Sequence, residues 1–343
     1  MDIQGAIDAL SRYGHLDADQ AESVMRQIMT GGASEAQIGA YLMALSMKGE
    51  TTDEISGSAR AMREAATKVP TTVEADMLDT CGTGGDKSST FNISTTVAFV
   101  AAGAGIPVAK HGNRAATSKS GSADVLAALG VNFELSPAQV GRCIDEVGIG
   151  FLFAPMLHPA MRYAIGPRKE LGIRTIFNIL GPLTNPAGAQ RQLMGVFAHG
   201  LTDLLAHVLK DLGLKSAMVV NGYGGLDELT VTGPNRISYL DEGGDISHLD
   251  LDPTELGFHM AGLDDLKGGD PGENATILRR VLAGSDTGPK RDIVLLNAGA
   301  AIMTGGMASS IADGIVLARD SVDSGAALQK LDQLIEFSQS FAS

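Results

Sequence analysis

The residues with the clearest chemical content form a run of glycines and small polar groups. It reads Cys81-Gly82-Thr83-Gly84-Gly85-Asp86, then Thr90-Phe91-Asn92-Ile93-Ser94-Thr95. Closely spaced glycines let backbone N–H groups approach an anion. The run is not a Walker loop, because Asp86 stands where that pattern needs the glycine before Lys87. It is not a dinucleotide fingerprint either, because the third glycine is missing. Taken alone, the loop is as readily a tight strand-to-helix turn that holds nothing. The next residues shift the balance. Thr90, Asn92, Ser94 and Thr95 place hydroxyls and an amide at the start of an apolar helix. One such group suffices as a cap. The surplus points to phosphate oxygens held at a helix start.

A second cluster, Lys110-His111-Gly112-Asn113-Arg114, follows the apolar run 106–109, which reads as a buried strand. Ligands of parallel sheets bind at that edge, and two permanent cations there suit a phosphorylated anion. Thr117, Ser118, Lys119 and Ser122 continue a hydroxyl-rich loop. Asp227-Glu228 lies between Gly222-Tyr223-Gly224-Gly225 and a strand expected at 230–231. Adjacent carboxylates are ordinary surface features. Beside a phosphate loop they become candidate magnesium ligands, because Mg²⁺ takes a few carboxylate oxygens and fills its shell from phosphate and water. Arg162, Arg168, Lys169 and Arg174 lie in or near the run Pro167-Arg168-Lys169-Glu170-Leu171-Gly172 and residues 174–186. Most of these are solvated or ion-paired on the bland reading. On the sharper one, a guanidinium here grips a substrate carboxylate through two parallel hydrogen bonds. His111, His158 and His199 show no helical ligand spacing, so packing or hydrogen-bonding roles are expected of them.

These groups need a frame. Residues 1 to about 69 read as helices. Ser34 with Gln37 and Thr51 with Glu54 form capping boxes ahead of helically spaced apolar residues, and an earlier helix spans 18–29. Such short helices must pack on the rest of the chain or on a second subunit. Beyond Pro70 apolar runs alternate with glycine turns: a short strand at 77–79, helices at 97–105, 123–129, 136–147 and 201–212, and strands at 106–109, 131–135, 149–154 and 216–221. That alternation is the signature of an α/β domain with a largely parallel sheet. Residues 243–272 are acidic and turn-rich and read as a surface excursion. A helical pattern over 308–341 closes the core.

Composition narrows the classes. Of 343 residues, 44% are hydrophobic, and the net charge is −14. The balance disfavours nucleic acid and anionic membrane as partners. No apolar run reaches the ~18 residues of a membrane helix. The N-terminus lacks a basic stretch followed by an apolar one, and Cys81 and Cys143 sit in no ligand pattern, so a reducing cytoplasm is expected.

Together, residues 82–86, 92–95, 110–114, 227–228 and 174–186 resemble the anthranilate phosphoribosyltransferase family in type, order and spacing, over the whole chain. The resemblance implies a magnesium-dependent transfer of the phosphoribosyl group from phosphoribosyl diphosphate to the amine of anthranilate, in tryptophan biosynthesis. It implies an α/β fold with a small helical domain, residues 1–70 joined by a segment near 155–190. A large α/β domain, 71–343, holds the donor, and helical domains pair in a cytoplasmic homodimer. Gly82, Gly85, Asp86, Thr90, Asn92, Ile93, Ser94, Thr95, Lys110, His111, Gly112, Asn113, Arg114, Ser118 and Ser122 would hold the donor. Gly82, Asn113 and Arg168 would hold anthranilate, with Arg168 on its carboxylate. Ser94, Asp227 and Glu228 would hold two Mg²⁺ ions. Two rivals stay open at this point. A nucleoside phosphorylase of the same architecture would need no magnesium and would carry other residues at 110–114. A non-catalytic nucleic-acid-binding relative would need a basic surface, which the net charge opposes.

Overall fold

The computed structural model describes residues 1–86, 88–115 and 119–342. It opens with four helices: α1 (Ile3–Ser11), α2 (Ala18–Met29), α3 (Glu35–Lys48) and α4 (Thr52–Ala65). Asp17/Gln20, Ser34/Gln37 and Thr51/Glu54 close capping boxes. Glu54 does more than cap. Its buried carboxylate accepts from Thr51 N (2.8 Å), Leu16 N (3.1 Å) and Lys48 Nζ (2.9 Å), stapling α3, α4 and the turn before α2. Gly57 lets α4 lie directly on the backbone of Ala18, where any Cβ would collide.

The remaining chain builds a seven-stranded sheet. In chain order come β1 (Leu78–Asp79), α5 (Ile93–Gly103), β2 (Val108–Gly112), α6 (Ser122–Ala128), α7 (Pro137–Val147) and β3 (Ile149–Phe153). Then follow α8 (Ala154–Leu157), α9 (Arg162–Leu171), α10 (Phe177–Leu180), β4 (Arg191–Gly195), α11 (Leu201–Asp211), β5 (Ser216–Asn221), β6 (Asn235–Leu240) and β7 (Ile246–Leu251). Helices α12 (Pro271–Leu282), α13 (Pro289–Thr304), α14 (Ile311–Asp323) and α15 (Ala326–Gln339) finish it. The strand order is β3-β2-β1-β4-β5-β6-β7. The first five run parallel, and β6 and β7 are antiparallel. The chain belongs to the α/β class, with an N-terminal helical domain and a mostly parallel sheet. From β1 the chain runs outward through β2 and β3, then returns to β4 on the other flank. The carboxyl end of β1 is therefore the switch point, where ligands of open parallel sheets bind.

Two apolar clusters hold this together. One fills the α/β body around α5 and the wholly buried face of α13. The other joins α1–α4 to α9, α10 and α11, through Tyr41, Leu45, Ala164, Phe177 and Leu205. The mid-chain segment thus packs with the N-terminal helices.

Several elements differ from the sequence expectation. Helix α5 starts at Ile93 rather than 97, so Ser94 and Thr95 lie in its first turn. Strand β2 extends to Gly112, so Lys110 and His111 are strand residues paired with Phe151 and Leu152. Residues 131–135 form no strand. Their side chains alternate inward, but Val131 N donates to Leu126 O and Asn132 N to Ser338 Oγ. The backbone N–H groups at the start of this stretch are thus taken by α6 and α15 rather than by a neighbouring strand. Residues 230–231 are also irregular, because Asn235 Oδ1 takes the Thr230 N–H at 2.6 Å. The 243–272 stretch contains the edge strand β7 and buries Phe258 and Leu266, so it is more than a surface excursion. The 308–341 pattern is two helices broken at Gly325, whose φ of 82° suits glycine.

Candidate active site

The switch point is built around two buried charged side chains, Lys110 and Asp79, each held by its own hydrogen-bond partners. Lys110, 3% exposed on β2, donates through Nζ to Thr80 O and Thr80 Oγ1 at 3.3 Å, and reaches Ser94 Oγ at 3.5 Å. An ammonium withdrawn from water needs such acceptors. Asp79, at the end of β1, is 1% exposed. Its carboxylate accepts from His111 N (3.1 Å) and Asn185 Nδ2 (2.7 Å). Burial pushes its pKa up to about 6, against the opposing pull of Lys110 and these donors. Thr80 Oγ1 in turn donates to Ser94 O at 3.0 Å, fixing the first turn of α5 on β1.

The start of α5 faces acid. Ser94 N donates to Glu228 Oε1 at 3.2 Å, so a helix N-terminus and a carboxylate meet. Asn92 occupies the N-cap position yet makes no cap bond. Its Nδ2 donates to Ser120 O (3.3 Å), and its Oδ1 accepts from Ser120 Oγ (3.2 Å) and Asn274 Nδ2 (3.0 Å). It ties the loop after β2 to α12. Asp86 accepts from Ser88 N (3.1 Å) and Asp227 N (3.4 Å), closing the glycine loop onto the Asp227-Glu228 turn. Gly195 makes this possible, since a Cβ there would collide with the Asp227 carbonyl.

The surroundings of the acidic pair do not compensate its negative charge. Burial, then Asp86, raises the Asp227 pKa; burial, then Asp227, raises that of Glu228, with Lys110 opposing. A divalent cation would reverse both shifts. Among the described residues no group of three His, Cys, Asp or Glu side chains is arranged to enclose a metal ion. Two carboxylates and a hydroxyl fit a hard ion such as Mg²⁺, which keeps water and substrate oxygens in its shell. They do not fit a closed structural site.

The remaining candidates are spread over several places. Gly82, Gly112, Asn113 and Ser122 stay at the sheet edge. Gly82 lies against the Gly195 backbone, and Gly112 leaves room for Ser122 and the Phe151 ring. Asn113 N donates to Ser122 Oγ, which donates back to Asn113 O, both at 3.1 Å. Gly85 sits in the exposed loop, and Thr90 Oγ1 lies 3.2 Å from Ser88 Oγ. Ile93 and Thr95 are buried. Arg114 points to Asp124 Oδ1 (3.2 Å) and stacks over Phe133 at 5.1 Å. Arg168 stands apart on α9, half-buried, its Cζ 5.1 Å from the Phe177 ring centroid. Burial lowers its pKa, and its guanidinium has no hydrogen bond or ion pair among the described residues. Ser118, with Lys87 and Thr117, lies outside the described residues.

His111 and His158 meet as a buried pair, Nε2 to Nε2 at 3.2 Å. Burial holds His111 down to about 3 and His158 to about 4. Both imidazoles are neutral, one donating to the other. Sequence reasoning missed Asp79, Thr80, Asn185 and Gly195. An aspartate ending an apolar strand is a readable signal for the first. Nothing in one sequence indicates that Gly195 must meet Asp227.

Comparison with known proteins agrees with this geometry. The family described as "Glycosyl transferase family, helical bundle domain" matches residues 4–66, and "Glycosyl transferase family, a/b domain" matches residues 74–328. A protein of Acetivibrio thermocellus named anthranilate phosphoribosyltransferase is 52% identical over 99% of this chain and 98% of its own. A like-named protein of Chloroflexus aurantiacus is 52% identical over 99% of each. The crystal structure of anthranilate phosphoribosyltransferase from Thermus thermophilus is similar at a TM-score of 0.92 and 45% identity, over 97% of this chain and 99% of that one. The Saccharomyces cerevisiae enzyme, solved in complex with PRPP and Mg, is similar at 0.89 and 28% identity, over 99% and 98%.

Proposed function

The chain belongs to the anthranilate phosphoribosyltransferase family, and we propose that the carboxyl end of β1 is where it binds phosphoribosyl diphosphate. It is a glycosyltransferase of tryptophan biosynthesis: it joins the phosphoribosyl group to the amine of anthranilate and releases diphosphate. The observation that carries the site assignment is the buried Lys110 ammonium, held between Thr80 and Ser94 beside the glycine loop. A phosphorylated donor offers that charge the anion it lacks.

The donor site comprises Gly82, Gly85, Asp86, Thr90, Asn92, Ile93, Ser94, Thr95, Lys110, His111, Gly112, Asn113, Arg114, Ser118 and Ser122. Ser94, Asp227 and Glu228 hold two Mg²⁺ ions, a reading supported by the raised pKa of both carboxylates. Bound magnesium stabilises charge on a departing diphosphate. Lys110 and the loop N–H groups do the same from the protein side. In the reaction the amine nitrogen bonds to ribose C1 while the C1–oxygen bond to diphosphate breaks, and the amine loses a proton to solvent or diphosphate. An aromatic amine is neutral at pH 7, so the protein's task is to align it with C1. Gly82, Asn113 and Arg168 hold the acceptor, and the free guanidinium of Arg168 supports its place on the carboxylate.

Residues 1–70 with the segment near 155–190 form the helical domain, and 71–343 the donor-binding domain. Two chains pair through the helical domain in the cytoplasm. Met43 and Met47 on α3 and Ile165 on α9 support that pairing, being apolar and 39%, 63% and 56% exposed. No helix among the described residues is long and apolar enough to cross a membrane.

The test is loss of anthranilate fluorescence on mixing with the protein, phosphoribosyl diphosphate and Mg²⁺, with and without EDTA. Turnover that EDTA abolishes is expected. Donor binding without turnover would move the acceptor to another amine, and absence of donor binding would refute the site.

A further inference from the structure

Arg174 is the one basic side chain of the 174–186 run, and the donor and acceptor assignments leave it without a role. It sits between α9 and α10, exposed, on the helical side of the molecule. Its carbonyl accepts from Ser46 Oγ of α3 at 3.2 Å, which anchors its backbone to the N-terminal helices. Its side chain reaches beyond those helices. The guanidinium donates through one terminal nitrogen to the carbonyl of Gly85 in the glycine loop, and its Cζ lies 3.9 Å from the ring centroid of Phe197, just beyond β4. The stacking fixes the plane of the fork and leaves its edge free to donate. One residue thus joins three elements: the helical side, the end of the β4 limb, and the loop after β1.

The loop needs such a hold. Gly84 and Gly85 both adopt left-handed backbone, φ 65° and 81°, so nothing in their own side chains selects the conformation. Upstream, Thr83 N (2.8 Å) and Thr83 Oγ1 (3.3 Å) donate to Gly195 O, pinning the loop to the end of β4. Downstream, Asp86 accepts from Asp227 N. Between these pins lies the Gly85–Asp86 peptide, and its carbonyl is the group Arg174 takes. In a trans peptide the carbonyl and the following N–H point in opposite directions. Holding the Gly85 carbonyl toward Arg174 therefore turns the Asp86 N–H away from it, on the opposite side of the loop.

We propose that Arg174 is a positioning residue for the phosphoribosyl diphosphate loop: stacked on Phe197, it sets the orientation of the Gly85–Asp86 peptide so that the loop presents its N–H groups to the diphosphate. This rests on the assignment of that loop to the donor. Arg174 contacts no reacting atom in this role. Its loss acts through the loop, and so falls on the donor and spares the acceptor.

The experiment is calorimetric titration of phosphoribosyl diphosphate with Mg²⁺ into wild type, Arg174→Ala, Arg174→Lys, Phe197→Leu and the Arg174→Ala/Phe197→Leu double variant, with steady-state KM for both substrates. The donor Kd is expected to rise roughly tenfold in Arg174→Ala, the effect of losing one charge-assisted hydrogen bond. The anthranilate KM should move less than about twofold, and the melting temperature should stay close to that of wild type, since the side chain is exposed. Arg174→Lys keeps the charge without the stacked planar fork and should recover little. Phe197→Leu should weaken donor binding in wild type but not in the Arg174→Ala background. Full recovery by lysine would reduce the effect to bulk charge and overturn the proposal. So would equal changes in both KM values, or additive effects of the two substitutions. Failure of wild type itself to bind the donor would instead refute the loop assignment.

Discussion

The buried imidazole pair makes a prediction that can be worked through in numbers. His158 takes part in a neutral hydrogen bond with His111 at 3.2 Å, and burial holds its pKa at about 4 against an ordinary 6.5. A group with a depressed folded pKa contributes stability that is complete above the unfolded value and lost as pH falls through the folded one. Between pH 7 and pH 5 the unfolded imidazole gains about 2 kcal/mol from protonation, while the folded one gains almost nothing. His158 therefore costs the fold about 2 kcal/mol over those two pH units. His111, held lower still at about 3, acts in the same direction. Asp79, Asp227 and Glu228, whose pKa values burial raises, act in the other direction and gain stabilisation on acidification. The contribution of His158 is therefore read as a difference between two proteins. His158→Gln keeps an amide that can donate to or accept from His111 but removes the titration. Urea unfolding followed by circular dichroism at pH 7 and pH 5 should show wild type losing about 2 kcal/mol more than His158→Gln. The variant itself is expected to be less stable at pH 7, which does not enter this difference. Equal pH dependence in the two proteins would mean that His158 is not a neutral buried group, and the account of the pair would fail.

Three further expectations concern the site and the assembly. Arg168→Ala should raise the anthranilate KM roughly 10- to 100-fold, as loss of a bidentate carboxylate contact does, with a smaller change for the donor; equal changes would displace Arg168 from the acceptor. Asp227→Asn and Glu228→Gln should each raise the Mg²⁺ concentration for half-maximal rate by roughly tenfold or more, and a titration curve unmoved from wild type would remove them as ligands. Met47→Asp, on the exposed face of α3, should give a folded monomer by light scattering where wild type is a dimer; a dimer that survives, or a wild-type monomer, would place the interface elsewhere.

How much of the fold is legible in the sequence depends on the range of the forces involved. The capping boxes at Ser34/Gln37 and Thr51/Glu54 each operate within four residues, and each forms where local reading expects it. The parallel strands β3 and β5 and their neighbouring helices also follow from local apolar patterning. The departures share a different origin. Residues 131–135 have the alternation of a strand, but whether a strand forms depends on a free partner edge, and Asn132 N bonds to Ser338 of α15 instead. Helix α5 begins earlier than its apolar pattern suggests, although Ser94 and Thr95 are weak helix residues by propensity. The turn they lie in is held at Ser94 by Glu228 and by Thr80, respectively 134 and 14 residues distant.

The site divides along the same line. Its glycines, hydroxyls, Lys110 and acidic pair are visible as types in unusual runs, because a phosphate site needs those groups whatever the fold around them. What aims them is not visible. Asp79 holds the β2 backbone at His111, Asn185 holds Asp79, and Gly195 admits the Asp227 turn. Asn185 and Gly195 are unremarkable by type, Asp79 stands out only as an acid ending an apolar strand, and all three become meaningful when β1, β2 and β4 lie side by side. Residue chemistry thus identifies the kind of ligand, while strand order decides which groups reach it. Those positioning residues are where substitutions should alter affinity without touching substrate, and Arg174 is the case in which that separation can be measured directly.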